Sequence, residues 1–147
     1  NYNNLLGFGF SERSGKLTRI QPTRMTGLRY IYGACTLFQQ GTFFPAWMFH
    51  AIGGFNIENR TCWDGELFAR FLFAGYPHAL LDRDLAVFNI HGNSISGSGR
   101  LNEQYKEDRQ RIFREHMGRS FTFFDHSAAI LFRAFKAIMA ALPLQLR

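Results

Sequence analysis

Two carboxylates, Asp64 and Glu66, lie near the start of the otherwise largely apolar stretch "CWDGELFARF" at residues 62–71. An acid in the first turn of a helix has two uses. It can offset the orphan N–H groups and the positive end of the helix dipole. Ionised and facing a cleft, it can also take a proton from a hydroxyl as a general base. The dipole favours the ionised form that a base needs, so the two uses are compatible. Glu66, two positions on, reads as a solvated or ion-paired residue. His91 follows apolar Ile90 and precedes a loop of Gly, Asn and Ser. Strand ends that open into such loops are common ligand-contact positions in α/β folds, and a neutral imidazole is a good metal ligand. Asp82 and Asp84 in "DRD" are spaced to share a hard cation, yet the same residues are ordinary at a turn, and a strand break is the reading adopted. "GSGR" at 97–100 is too short for a phosphate-binding loop.

These residues need elements to hold them. Residues 5–21 read as a hairpin: Leu6, Phe8 and Phe10 alternate with Leu5, Gly7 and Gly9, "RSGK" turns, and Leu17 to Gln21 returns. A short helix is expected from Met25 to Gly33. An extended segment, "TLFQQGTFF", follows and is stopped by Pro45. Pro45 then starts a helix that ends at Gly53 and Gly54. Thr61 and Asp64 have capping-box spacing, and Leu67, Phe68, Phe71 and Leu72 recur at helical intervals up to Gly75. Residues 78–90 read as one or two strands with a break at Asp82 to Asp84. Residues 101–118 read as a charged, exposed helix. Asp125 caps a last helix running to about Leu142, whose wide apolar face (Ile130, Leu131, Phe135, Ile138, Leu142) opposes Arg133 and Lys136. That face suits either packing on the domain or an anionic membrane surface. Strands and helices alternate, so the class is α/β.

The 147 residues, 46% apolar and including 17 Phe, can bury a real core, which excludes a disordered chain. Seventeen Lys and Arg against 11 acids give a net charge of +6, which fits nucleic acid, anionic lipid or phosphorylated ligands without choosing among them. Two distant cysteines, Cys35 and Cys62, make neither a disulfide framework nor a metal cluster. The chain begins at Asn1 with no signal-peptide pattern and reads as an excised or incomplete piece.

Residues 39–96 resemble the family 2 glycosyltransferases of GT-A fold. The residues that carry the likeness are Gln40 with "GTFF", Gly53-Gly54-Phe55, the run Asp64, Glu66, Leu67, Phe68 and Arg70, and a strand leading to His91 and Ser94. The hairpin with "SGK" extends it to about residues 5–100. Asn89 departs from the Arg that the family often places two residues before the His. The resemblance implies a mixed sheet with flanking helices and the carboxyl-terminal, acceptor-side half of such a domain over residues 1–118, and the amphipathic helix makes up the remainder, 119–147. It makes Asp64 the catalytic base of an inverting transfer. Gln40, Gly41, Glu66, Arg70 and Ser94 become contacts to acceptor or donor, and His91 a residue at the metal. It implies a nucleotide-diphosphate sugar donor, a saccharide or lipid-linked acceptor, and Mg²⁺ or Mn²⁺. It places the nucleotide-binding strands in an amino-terminal half that this chain lacks, so the piece alone is expected to be inactive. The expected location is the cytoplasm, with peripheral contact at the inner face of the membrane.

Two rivals stand beside this reading, a basic nucleic-acid-binding module and a non-catalytic membrane-associated interaction domain. The Phe residues lie in apolar runs and not among Lys and Arg, which argues against nucleic acid as a partner. A half-domain with a cut sheet edge is also expected to self-associate, or to need its missing half or a membrane.

Overall fold

The computed structural model describes residues 4–90 and 100–141. His91 and Ser94 lie outside the described residues. A four-stranded mixed sheet is flanked by helices. Strand β1 (Asn4–Arg13) is its centre. It turns through Ser14 and Gly15, both at positive φ (52° and 79°), into β2 (Lys16–Ile20). Two successive left-handed residues match the twist of an antiparallel hairpin, which is why "SG" sits there. The amino-terminal end of β1 pairs antiparallel with β3 (Thr42–Phe43). Its whole length pairs parallel with β4 (His78–Ile90).

The β1–β4 register explains "DRD". Gly7 is opposite Leu81, but Phe8 is opposite Asp84 and Gly9 opposite Ala86, so β4 bulges at 82–83 and again at 85. The expected break is therefore an irregularity inside one continuous strand. Asp84 pairs with Arg19 of β2 at 3.0 Å, while the Asp82 side chain is 88% exposed. No other described strand pairs with the outer edge of β4. Charged bulge residues on such an edge discourage further strand addition.

Gly9 shows how closely this sheet is covered. A Cβ there would overlap the Phe38 ring and the Ala86 carbonyl oxygen. Phe38 is buried, and its carbonyl accepts from Gly41 N (3.0 Å) and Thr42 Oγ1 (2.8 Å). This packing replaces the extended segment expected over "TLFQQGTFF" with a 3₁₀ turn at Gln39–Gly41 and a two-residue strand. Gly9→Ala should cost about 1–3 kcal/mol, because both obstacles are rigid. A urea midpoint unchanged from wild type would contradict this packing.

The helices are α1 (Gly27–Ile31), α2 (Ala46–Ala51), α3 (Trp63–Phe73), α4 (Asn102–Met117) and α5 (Phe123–Ala141). The first is shorter than expected. Thr26 Oγ1 caps it by accepting from Arg29 N, and Gly33 at φ 71° ends the segment. One core cluster joins Ile31 and Tyr32 to Cys62, Ala69, Ile112, Phe113 and Ala129. A second joins Met48 to Leu67, Phe68 and Phe71. The faces of α3 thus enter both clusters. The fourth helix corrects the expectation of an exposed one: Asp108, Ile112 and Phe113 are buried, and most of its other charges occupy the remaining faces. Gly118 at φ 66° ends it.

Candidate active site

Asp64 is the second residue of α3, and the start of this helix is held from several directions. The expected capping box does not form. Cys62 occupies the cap position without a side-chain cap bond, and Thr61 Oγ1 donates instead to Asp108 Oδ2 of α4 at 2.7 Å. Asn59 takes over the entry to the helix. Its Oδ1 accepts from Thr61 N (3.1 Å) and Cys62 N (2.9 Å), an Asx turn, while its Nδ2 donates to Glu66 Oε2 at 2.6 Å. From α1, Tyr30 donates its hydroxyl to Gly65 O at 3.1 Å. Burial is the chief cause of a strongly raised Tyr30 hydroxyl pKa; the Arg109 charge opposes the rise, and the nearby Asp64 charge adds to it.

Glu66 is consumed by this frame. It is 2% exposed. Its Oε1 accepts from Asn56 Nδ2 (2.8 Å) and Arg111 (3.1 Å), and its Oε2 from Asn59 and again from Arg111 (2.6 Å). Both oxygens are doubly occupied, so the solvated reading is excluded and the ion-paired one holds. As a contact to acceptor or donor it has no acceptor capacity left. Burial would raise its carboxyl pKa, but hydrogen bonds from Arg111, Asn59 and Asn56 outweigh burial and hold it at about 2. Arg111 also reaches Glu115 (2.8 Å) and Asp108 (3.4 Å) of its own helix, and its bond to Glu66 ties α3 to α4.

Arg70 is likewise turned inward. Its guanidinium donates to Ile52 O (2.9 Å) and Gly54 O (2.6 Å), closing the carboxyl end of α2 and the "GGF" turn. Gly53 and Gly54 both have positive φ there (80° and 70°). The spacing that links "GGF" to Arg70 is therefore structural: the arginine holds the turn.

Asp64 differs from both. It is half-buried and forms no hydrogen bond or ion pair with another described residue. Beside it, Trp63 is 42% exposed and meets the equally exposed Phe55 edge to face at 4.7 Å. An acceptor-only carboxylate at the positive end of a braced helix, next to an exposed aromatic pair, can take a proton from a bound hydroxyl compound.

The other expected site residues do not join this group. Gln40 is exposed in the 3₁₀ turn, and Gly41 is buried against β1, where a Cβ would lie 2.8 Å from the Phe38 ring and 3.0 Å from Gly7 O. No hydrogen bond links either to α3 among the described residues. The described residues also hold no cluster of three or more His, Cys, Asp or Glu that could bind a metal ion. Sequence reasoning missed Trp63, Phe55, Asn56, Asn59 and Arg111. Asn59, three residues before the cap residue Cys62, was the readable signal, since Asn at that distance commonly builds a turn. Arg111 had none, lying 45 positions from its partner.

No protein-family model matches the chain, and neither a curated protein nor a solved structure matches it.

Proposed function

We propose that this chain is the acceptor-side, catalytic-base portion of an inverting glycosyltransferase that moves a sugar from a nucleotide-diphosphate donor to a hydroxyl acceptor. The observation that carries the reading is the contrast within two helix turns: Glu66 and Arg70 are spent on structure, while the Asp64 oxygens bond to no described residue and stand on a rigid support. A general base needs fixed geometry and an unengaged acceptor. In this reading Asp64 accepts the proton of the acceptor hydroxyl as its oxygen attacks the anomeric carbon. The bond to the diphosphate breaks on the opposite face, and the configuration inverts.

Trp63 and Phe55 support the acceptor class. Exposed aromatic rings offer a flat apolar surface to the C–H face of a saccharide, and their rigidity keeps the ordering cost low. The reading brings with it Mg²⁺ or Mn²⁺ to neutralise the leaving diphosphate. The described residues do not form that site: Asp84 is engaged with Arg19 at 3.0 Å, and the exposed Asp82 lies 3.9 Å from the same guanidinium. None of the chemistry assigned to Asp64 passes through the metal.

The test uses the complete protein with nucleotide-sugar donors labelled in the sugar and a panel of saccharide and lipid-linked acceptors. The expected product carries the sugar with inverted anomeric configuration. Trp63→Ala should raise the acceptor KM about tenfold and leave the donor KM unchanged. Absence of transfer to every acceptor, or retention of configuration, would overturn the reading.

A further inference from the structure

The last helix, α5, is docked by its less apolar side. Asp125 lies in its first turn and is 2% exposed. The carboxylate accepts from Arg119 (2.6 and 2.7 Å), Tyr32 Oη (2.7 Å), and both Thr122 N and Thr122 Oγ1 (2.7 Å each). The expected cap is thus corrected: Thr122 precedes the helix, and Asp125 reaches back to it from inside. One turn on, Ala129 is buried, and Phe132 stacks on Tyr32 at 5.3 Å. These contacts fix the rotation of the helix, because turning it would leave Asp125 without its donors.

What that rotation leaves outside is apolar. Phe123, Phe124, Ile130, Leu131, Phe135 and Ile138 are 49–82% exposed. They recur at helical spacing along a rod of about 28 Å. A contiguous apolar face of this kind marks an interaction surface. Its surroundings are basic. Asp125 is the single acid within residues 119–141, and Arg119 already neutralises it. Arg133 flanks the face on one side, its guanidinium beside Gly33, and Arg29 of α1 flanks it on the other, over the Phe135 ring at 5.6 Å, while Lys136 shares the docked side with Ala129 and Phe132. A second copy docked on this face would bring these arginines together, whereas an anionic surface would neutralise them. No described helix is long and apolar enough to cross a membrane.

We propose that α5 is an interfacial anchor that lays its outward apolar face into an anionic lipid bilayer surface, with Arg29 and Arg133, at the two flanks of that face, at the headgroups. This goes beyond the transferase reading and is tested without any sugar nucleotide. The chain is floated with vesicles of phosphatidylcholine alone and with vesicles in which about a third of the lipid is phosphatidylserine. It should rise with the anionic vesicles, less so as salt is added. Leu131→Glu/Ile138→Glu should cut the bound fraction at least about tenfold. Arg133→Glu keeps the apolar face intact, and should weaken the preference for anionic over neutral vesicles. Circular dichroism establishes that each variant folds, and the second variant decides if the first does not. Failure of the wild-type chain to float, or flotation that neither variant changes, overturns the proposal. A dimer by light scattering that Leu131→Glu/Ile138→Glu dissociates, in a chain that does not float, assigns the face to a second copy and overturns it as well.

Discussion

Asp64→Asn in the complete protein is expected to slow sugar transfer about 10²- to 10⁴-fold while leaving donor affinity unchanged. The amide keeps the size of the side chain and its place in the first turn of α3 but cannot accept the proton. The fold should tolerate the change, because Asp64 has no hydrogen-bonding partner among the described residues. The lost interaction with the helix dipole costs about 0.3–1 kcal/mol. Turnover under saturating donor and acceptor, with a melting curve beside it, separates lost chemistry from lost stability. Wild-type turnover in this variant would remove Asp64 from the role of base.

The opposite signature is expected at the ion pair of Glu66, two residues further along α3, with Arg111 of α4. Arg111→Ala should destabilise the fold by about 3 kcal/mol, because it leaves Glu66 buried with half its donors gone. The side chains are 3% exposed for Glu66 and 24% for Arg111, so solvent replaces little of the lost interaction. Equilibrium denaturation in urea measures the loss. A change below about 0.5 kcal/mol, the range of ordinary surface substitutions, would show that the pair does not brace α3.

The pair also sets an acid limit. The Glu66 carboxyl is lowered from 4.5 to about 2, so it binds fewer protons in the folded chain than in the unfolded one. Its stabilisation is therefore complete above about pH 4.5 and fades as the pH falls toward 2. Arg111→Ala should flatten this limb. A separate loss begins at higher pH. Burial lowers the pKa of His78 and His116, and the Arg24 charge assists at His78. His78 Nε2 accepts from Met25 N at 3.0 Å only while it is neutral. That contribution is present above the ordinary histidine value of 6.5 and is lost as the pH drops through the lowered one.

Much of this architecture was legible locally. The "SG" turn, Pro45 before α2, the glycines that close α2, α3 and α4, and the spacing of Leu67, Phe68 and Phe71 all act within a few residues. Periodicity and backbone φ preferences report such effects directly. Asp64 at the start of α3 was legible for the same reason.

Three features were decided only by the tertiary structure. Phe38 turned inward, and that replaced the expected strand over "TLFQQGTFF" with a turn, since burying a large ring outweighs local β preference. Glu66 and Arg70 looked like site residues and became structural, because their partners sit on other elements: Arg111 on α4, and the carbonyls that end α2. The apolar stripe of α5 was plain in the sequence, but its direction was not. A stripe's own period says that one face is apolar, and amphipathic helices usually bury that face. Here Asp125, with its donors Arg119, Tyr32 and Thr122, holds the polar side inward. Tyr32 lies 93 positions away, and no local pattern carries information across that distance. A buried carboxylate with its hydrogen bonds complete is costly to expose, and it therefore settles which way the helix faces.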